Sequence, residues 1–332
     1  MNVDFNKPLV SVIIPAYNAE ATITRACDSV LTQSYGNVEL VVVNDGSADA
    51  TAQIIDAVAQ RDKRVKCIHQ HNQGVCKARN VGVDNAEGDY IFFLDADDAL
   101  ADGCIDAMMK LAISENADVV TGCFRHIEPD GEEHNVLFPL EADLCIWEGK
   151  DAISFALRDH PATHSACAKL YRREAIRSVR FEEGKHIHED GFYVFEVCMK
   201  LPRMVVVNEV AVLRYMKKIG TLNRHWKDSF QDILYFAKKK HSIVENELPE
   251  LLPLAKNILI KGCLALINSL RLIDDPRATA AEKECVAIVR RNAKYFVPAV
   301  ERDWLRFIFA YLGIYRVYKL LYRLQVKKAS KK

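Results

Sequence analysis

Gly88-Asp89-Tyr90-Ile91-Phe92-Phe93-Leu94-Asp95-Ala96-Asp97-Asp98 begins as a strand and ends as a cluster of charge. Tyr90 to Leu94 is an unbroken apolar, β-prone run without polar alternation, the pattern of a strand buried on both faces. Three carboxylates, Asp95, Asp97 and Asp98, follow within four residues. Carboxylates crowded at the end of a buried strand repel one another and are costly unless something positive lies among them. Mg²⁺ or Mn²⁺ answers that need, because such a hard cation takes one or two carboxylates together with phosphate oxygens. An Asp-x-Asp is common, and standing alone a solvated acidic turn explains it better. The surrounding chain changes the odds.

Upstream, Leu9 to Ile14 reads as a buried strand stopped by Pro15, with Ala16-Tyr17-Asn18 as its loop and a helix over Ala19 to Thr32. Val38 to Val43 is a second strand. It ends in Asn44-Asp45-Gly46-Ser47, a turn signal expected to cap the next helix, from about Ala50 to Ala59. Val65 to His69 is a third strand, followed by the Asn72-Gln73-Gly74 loop and a helix over Val75 to Asn85. Strands alternating with helices at this spacing predict a parallel sheet with helices on both faces. In such sheets ligands bind at the carboxyl ends of the strands. Tyr17, Asp45 and the Asp95 cluster all fall at such ends, so three loops converge on one crevice.

Downstream, a helix is expected over Asp102 to Asn116, a strand over Asp118 to Phe124, and a hairpin or loop over His126 to Asp143. A helix over Asp151 to Arg158, a short strand at Ala168 to Tyr171, a helix over Phe192 to Lys200 and a strand over Met204 to Leu213 complete this part. From about Asp228 the periodicity is helical: Ser229 to Asn246, Leu251 to Ile273, a break at Asp274-Asp275-Pro276, then Ala280 to Asn292. The expected division is therefore 1–227, 228–298 and a tail at 299–332.

Of the 332 residues 50% are hydrophobic, enough for a sizeable core, and Lys+Arg and Asp+Glu balance at 45 each. That balance argues against a nucleic-acid binder driven by overall charge. Ten cysteines without a Cys-x-x-Cys read as reduced, mostly buried thiols of a cytosolic protein, with no disulfide framework and no zinc site expected. Neither a signal-peptide apolar region nor a charge-free run of about 18 residues is expected to carry the chain across a membrane.

Five ordered pieces carry a family resemblance: Val10 to Asn18, Val43 to Ser47, Asn72-Gln73-Gly74 with Ala78-Arg79-Asn80-Val81-Gly82, Gly88 to Asp98, and Glu189-Asp190. Together they resemble an inverting nucleotide-sugar glycosyltransferase of family 2, of the bacterial surface-polysaccharide type. The resemblance implies an α/β, GT-A (Rossmann-like nucleotide-sugar-binding) domain with a helical C-terminal extension. It implies a hexosyl- or N-acetylhexosaminyltransferase using a nucleoside-diphosphate sugar, UDP for preference, and a saccharide or lipid-linked acceptor.

Carried over residue by residue, Asp45 resembles the base-reading aspartate and Tyr17 the residue stacking near the base. Pro15 and Ala16 line the same pocket through their backbone, and Arg79 resembles a nucleotide-side contact. Asp95 and Ala96 are placed near the ribose and metal, and Asp97 as ligand of the Mn²⁺ or Mg²⁺. Asp98 is left between assisting the metal and bonding to the backbone, and Asp190 is placed as catalytic base. The chemistry asks for these groups. Charge builds on the leaving diphosphate, which a divalent ion stabilises, and the incoming hydroxyl must lose a proton to a carboxylate.

Weaker candidates are a His186-x-His188 pair, Lys169 as acceptor contact or fold support, and Arg214, Arg224 and His225 on a loop over the diphosphate. Asn223-Arg224-His225-Trp226 departs from the Gln-x-x-Arg-Trp of processive members, which favours a single addition. A nucleotidyltransferase would carry a Gly-rich loop where Pro15-Ala16-Tyr17-Asn18 stands. A degenerate, non-catalytic relative would have lost Asp97 or Asp190.

In the tail, Arg302, Arg306, Arg316, Lys319, Arg323 and Lys327 fall on one helical arc, opposite Trp304, Phe307, Ile308, Tyr311, Ile314, Tyr315, Tyr318, Leu321 and Tyr322. That pattern suits a helix lying on an anionic membrane, or one packing its aromatic face on the protein with a solvated basic side. The expected location is cytoplasmic, peripheral on the inner face of the membrane.

Overall fold

The apolar run at Val10 forms the first strand of a ten-stranded sheet. The computed structural model describes residues 7–200, 202–216, 225–298, 301–314 and 317. The chain divides into two compact units, Met1–Lys218 and Ile219–Lys332, where the sequence pattern changes at 227/228.

The first unit opens with β1 (Val10–Ala16), α1 (Ile23–Leu31), β2 (Val38–Asp45), α2 (Thr51–Arg61), β3 (Val65–Gln70), α3 (Val75–Asn85) and β4 (Tyr90–Phe93). After the acidic turn come β5 (Ala99–Leu100), α4 (Cys104–Ser114), β6 (Val119–Ile127), β7 (Glu133–Val136), β8 (Leu144–Glu148) and α5 (Lys150–Leu157). It closes with β9 (Lys169–Arg172), α6 (Arg173–Ile176), α7 (Glu189–Cys198) and β10 (Arg203–Tyr215). All four residues of β4 are buried, as its unbroken apolar run requires.

The sheet order is β3-β2-β1-β4-β9-β6-β10-β5, with β7 on β6 and β8 on β10. The β3, β2, β1 and β4 ladders are parallel. β9 then enters antiparallel to both β4 and β6. This corrects the expectation of a parallel sheet: the sheet is mixed, because β9 is not delivered by a right-handed strand–helix crossover. Since β9 opposes both neighbours, β6 runs in the direction of β4. The carboxyl ends of β1, β2, β4 and β6 therefore share one edge. β6 continues through β7 as the anticipated hairpin, while β5 and β8 escaped the sequence reading.

The second unit contains α8 (Phe230–Glu247), α9 (Leu252–Ser269), α10 (Pro276–Asn292) and α11 (Glu301–Leu312). α8 and α9 pack closely because Gly262 faces Ala237, where a Cβ would lie 2.6 Å from the alanine Cβ. α10 starts earlier than expected, at Pro276, capped by the Asp275 carboxylate accepting from Arg277 N–H at 2.8 Å.

One contact fixes how α3 lies on the sheet. A Cβ on Gly82 would come within 2.3 Å of Ile13 Cγ2, a fully buried side chain of β1. Ala in place of Gly gains about 1 kcal/mol of helix propensity, but overpacking costs about 1–3 kcal/mol. Gly82→Ala is therefore expected to lower the urea midpoint of unfolding, read by circular dichroism. A raised midpoint would mean that α3 and β1 are not in this close contact.

Candidate active site

The loops after β1 and β2 are stitched together by hydrogen bonds. Asn18 adopts a left-handed φ of +49°. Its N–H donates to Ser47 Oγ at 3.0 Å and its side-chain oxygen accepts from Ala48 N–H at 2.8 Å. Ala19 N–H donates to Thr51 Oγ1 at 2.8 Å. Gly46 is required at its turn: its φ is +72°, and a Cβ would lie 2.6 Å from the backbone nitrogen of Asn72.

Asp45 is buried, and its carboxylate accepts from Gln70 Nε2 at 2.7 Å and from the N–H groups of Gln73 and Gly74, both at 2.8 Å. It therefore holds the loop leading into α3 and does not cap α2. The α2 N-terminus is instead served by Asp49, whose Oδ1 accepts from Thr51 N–H at 3.0 Å. The sequence placed the cap on the wrong helix because the turn signal precedes α2 in the chain, whereas the loop before α3 is the nearer neighbour in space. A carboxylate offers about four lone-pair sites, so Asp45 retains capacity for one further donor.

These loops and the acidic turn line a cleft of ≈ 660 Å³ that includes Pro15, Ala16, Tyr17, Asp45, Asp95, Ala96 and Asp97. Tyr17 is 54% exposed, an aromatic face open to a flat partner. Asn72, Gly74, Val75, Ala78, Thr22 and His186 complete much of the wall. His186 thus faces the cleft; His188 sits at the start of α7 with φ +67°.

The acidic turn is braced from behind. Arg25 Nη2 donates to the Asp97 carbonyl at 2.7 Å, and its guanidinium lies 3.5 Å from the centre of the Tyr215 ring. Asp98 is buried and turned away, accepting from Tyr215 N–H at 3.2 Å, with Arg214 Nε 3.5 Å off. Burial, then the charge of Asp95, pushes its pKa up to about 7. Of the two roles left open for Asp98, the geometry is that of the backbone anchor. Arg214 belongs to β10 and lies over the Phe124 ring at 3.9 Å, which corrects its placement on a loop over the diphosphate. Arg224 lies outside the described residues.

Arg79 is 3% exposed and lies beneath the cleft. Its Nη2 donates to Asp95 Oδ1 at 2.9 Å and its Nη1 to Asp190 Oδ1 at 2.5 Å, with Glu189 Oε1 3.7 Å away. Burial works against its charge, but Asp190 and Asp95 hold it firmly protonated. Arg79, expected as a nucleotide-side contact, bridges Asp95 and Asp190.

Asp190 begins α7, and its Oδ2 accepts from Ala166 N–H at 3.3 Å and Ser165 Oγ at 3.4 Å. Lys169, fully enclosed in β9, donates to the Ser165 carbonyl at 2.6 Å and so supports that loop; burial lowers its pKa to about 8. Glu189 is held up at about 7 by burial and the neighbouring Asp190.

This arrangement can bind a flat base between Tyr17 and Asp45, a diphosphate and hard cation at Asp95–Asp97, and a proton at Asp190. The family model for glycosyl transferase family 2 matches residues 11–180. The chain belongs to glycosyl transferase family 2. It is 31% identical over 236 residues to glycosyltransferase GlyA of Streptococcus pneumoniae, covering 68% of this chain and 33% of GlyA. It is 28% identical over 248 residues to the minor teichoic acid biosynthesis protein GgaB of Bacillus subtilis, covering 71% of this chain and 27% of GgaB. It thus spans about a third or less of these relatives. The fold matches that of S. aureus TarS 1–349, solved with UDP-GlcNAc, at a TM-score of 0.72 and 20% identity over 96% of this chain and 92% of that one. The expected GT-A fold, with helices following it, is therefore what the chain adopts.

Removing one partner of a buried ion pair costs about 3–5 kcal/mol because a charge is left uncompensated. Arg79→Met strands Asp95 and Asp190 together and is expected to lower the thermal midpoint sharply. Arg79→Lys, a point charge without the planar fork, should recover only part of the loss. Equal midpoints for wild type and Arg79→Met, by calorimetry, would contradict the bridge.

Proposed function

We propose that this chain transfers a single sugar, with inversion, from a uridine diphosphate sugar to a saccharide or lipid-linked saccharide acceptor in the assembly of a cell-surface polymer. The observation that carries the reading is the meeting of Tyr17, Asp45 and Asp95-Ala96-Asp97 on one cleft, with Asp190 tied to Asp95 through Arg79. The teichoic acid role in the name of GgaB supports the polymer class, and the UDP-GlcNAc bound by TarS names the donor to try first.

Tyr17 stacks on the base, Asp45 accepts its imide N–H with the remaining lone pair, and Pro15 and Ala16 form the wall. Asp97, with Asp95 beside it, presents hard oxygen donors that fit Mn²⁺ or Mg²⁺. Such an ion would neutralise charge on the leaving diphosphate. The acceptor oxygen forms its bond to the anomeric carbon as the bond to the phosphate oxygen breaks, that electron pair leaving with the diphosphate. Asp190 takes the hydroxyl proton. Arg79 and the Ala166 N–H fix the carboxylate in position for it.

Incubation with a panel of nucleotide sugars, an acceptor, and Mn²⁺ or EDTA tests this. Release of nucleoside diphosphate from one donor should require the metal. It should fall by at least ~10²-fold in Asp97→Asn and in Asp190→Asn, the usual scale for lost charge stabilisation or a lost general base. Undiminished release in EDTA and in both variants would remove the assignment.

The tail supports an anionic membrane surface as a further partner. Among the described residues no helix is long and apolar enough to cross a membrane. On α11, Phe307 and Ala310 are buried, with Phe307 stacked on Phe296 at 4.2 Å, while Trp304, Leu305, Ile308, Tyr311 and Leu312 are exposed. The helix thus packs by one edge and presents a second apolar edge, the form of an interfacial helix. Arg316, Lys319, Arg323 and Lys327 lie outside the described residues. Deleting residues 303–332 is expected to abolish co-sedimentation with phosphatidylglycerol vesicles; equal binding by the truncated chain would exclude this surface.

A further inference from the structure

The β6–β7 hairpin carries a group of side chains that the transfer chemistry does not use. His126 and His134 are directly opposite in its antiparallel ladder. Directly opposed residues project on the same face, with Cβ atoms about 4.5–5.5 Å apart. Glu128 is two residues beyond His126, so the strand period brings it to that face as well. The other face carries a separate pairing, Arg125 with Asn135 at 2.9 Å and with Glu133 at 3.4 Å. The turn is closed by Glu128 N–H donating to the Glu132 carbonyl at 2.8 Å and Gly131 N–H to the Glu128 carbonyl at 2.9 Å. The backbone bearing the three groups is thus fixed.

We propose that His126, Glu128 and His134 form a binding site for a borderline transition-metal ion, with Zn²⁺ the ion that fits. One ligand atom from each lies within 4.8 Å of the others, and Glu128 Oε1 is 3.9 Å from His134 Nε2. Around one tetrahedral Zn²⁺ with bonds of about 2.0–2.2 Å, ligand atoms stand roughly 3.3–3.6 Å apart. Rotation of the exposed imidazole of His134 and the carboxylate of Glu128 closes that difference, since these side chains are 55% and 36% exposed. Two nitrogens and one oxygen leave a fourth position for water. Imidazole donors select a different class of metal from the all-oxygen Asp95–Asp97 wall, so the two sites need not compete.

The site also has a structural connection. His126 stands opposite Arg214 in the β6–β10 ladder, and Arg214 approaches Asp98 at 3.5 Å. An ion held here would stiffen the strand that neighbours the brace of the acidic turn.

The competing explanation is an imidazolium–carboxylate pair with no affinity for metal. To separate the two, Zn²⁺ binding to the full chain is measured by competition with a chromophoric chelator, beside His126→Gln/His134→Gln and Glu128→Gln. The wild type is expected to bind one equivalent more than the double variant, or to bind it at least ~10²-fold tighter, since even loss of an outer partner of a metal ligand costs 10–100-fold. Because ten cysteines can also take zinc, Co²⁺ serves as a second probe. The histidine-dependent signal should show d–d bands without thiolate-to-metal charge transfer. Zn²⁺ should raise the melting temperature of the wild type and not of the double variant, and circular dichroism checks that the variants fold. Equal stoichiometry and affinity in wild type and double variant, or a histidine-independent Co²⁺ spectrum, overturns the site. Glu128→Gln distinguishes a folding failure of the double variant from loss of a ligand.

Discussion

The Arg79 guanidinium lies in the interior with Asp95 on one prong and Asp190 on the other. A charge taken from water costs several kcal/mol even after relaxation, so this arginine is tolerable only because two carboxylates meet it in hydrogen-bonding geometry. The constraint runs in both directions. Asp95 follows β4 and Asp190 opens α7, far apart in the chain, and neither could be brought to a half-buried position without the positive group between them. The bridge therefore sets the distance from the Asp95 wall of the cleft to Asp190. Glu189, at 3.7 Å from the same guanidinium, makes a third acid for a single buried cation. Burial, then the charge of Asp190, raises its pKa to about 7, which limits the negative charge of the cluster.

Much of this was legible in the sequence where a physical signal is local. Continuous apolar runs announced β1, β2 and β4, and the turn chemistry after each placed Tyr17, Asp45 and Asp95 at strand ends. Strand direction is not a local property. Nothing in Lys169-Leu170-Tyr171-Arg172 reveals that β9 will slip antiparallel between β4 and β6, so the run of strands and helices read as a parallel sheet. β8 was missed because Leu144-Cys145-Ile146-Trp147-Glu148 is only partly covered and alternates weakly. β5 is two residues long and exists only because β10 pairs with it.

The site residues divide in the same way. Carboxylates that cluster in sequence were found, but the assignment of which one does what depended on partners that sequence does not show. Asp98 was left between assisting the metal and bonding to the backbone, and only the Tyr215 N–H and the nearby Arg214 show it anchored to the backbone. Arg79 sits on a helix among Cys76, Ala78, Asn80 and Val83, all buried. That burial would have flagged an arginine needing acidic partners, but Asp190 is 111 residues away. Asp45 was placed in the base pocket and does line the cleft, but its bonds to Gln70, Gln73 and Gly74 in the β3–α3 connection had no local signal in the sequence.

The mixed topology divides how the cleft is held. The parallel strands β1, β2 and β3 carry loops tied to one another by Asn18, Ser47, Thr51 and Asp45. Beyond β9 the strands are joined by hairpins and bulged pairings, and β10 changes register against β6 twice, between Val206 and Val210 and between Val210 and Val212. A bulge leaves one residue unpaired and bends the strand locally, whereas the loops after β1 and β2 are tied to one another by hydrogen bonds. The edge that carries Tyr17, Asp45 and Asp95 is thus cross-tied, while the half bearing β6, β7 and β8 is held by hairpin and bulged pairings. Arg79, reaching from α3 to Asp95 after β4 and to Asp190 on α7, ties the two halves together through one buried cation.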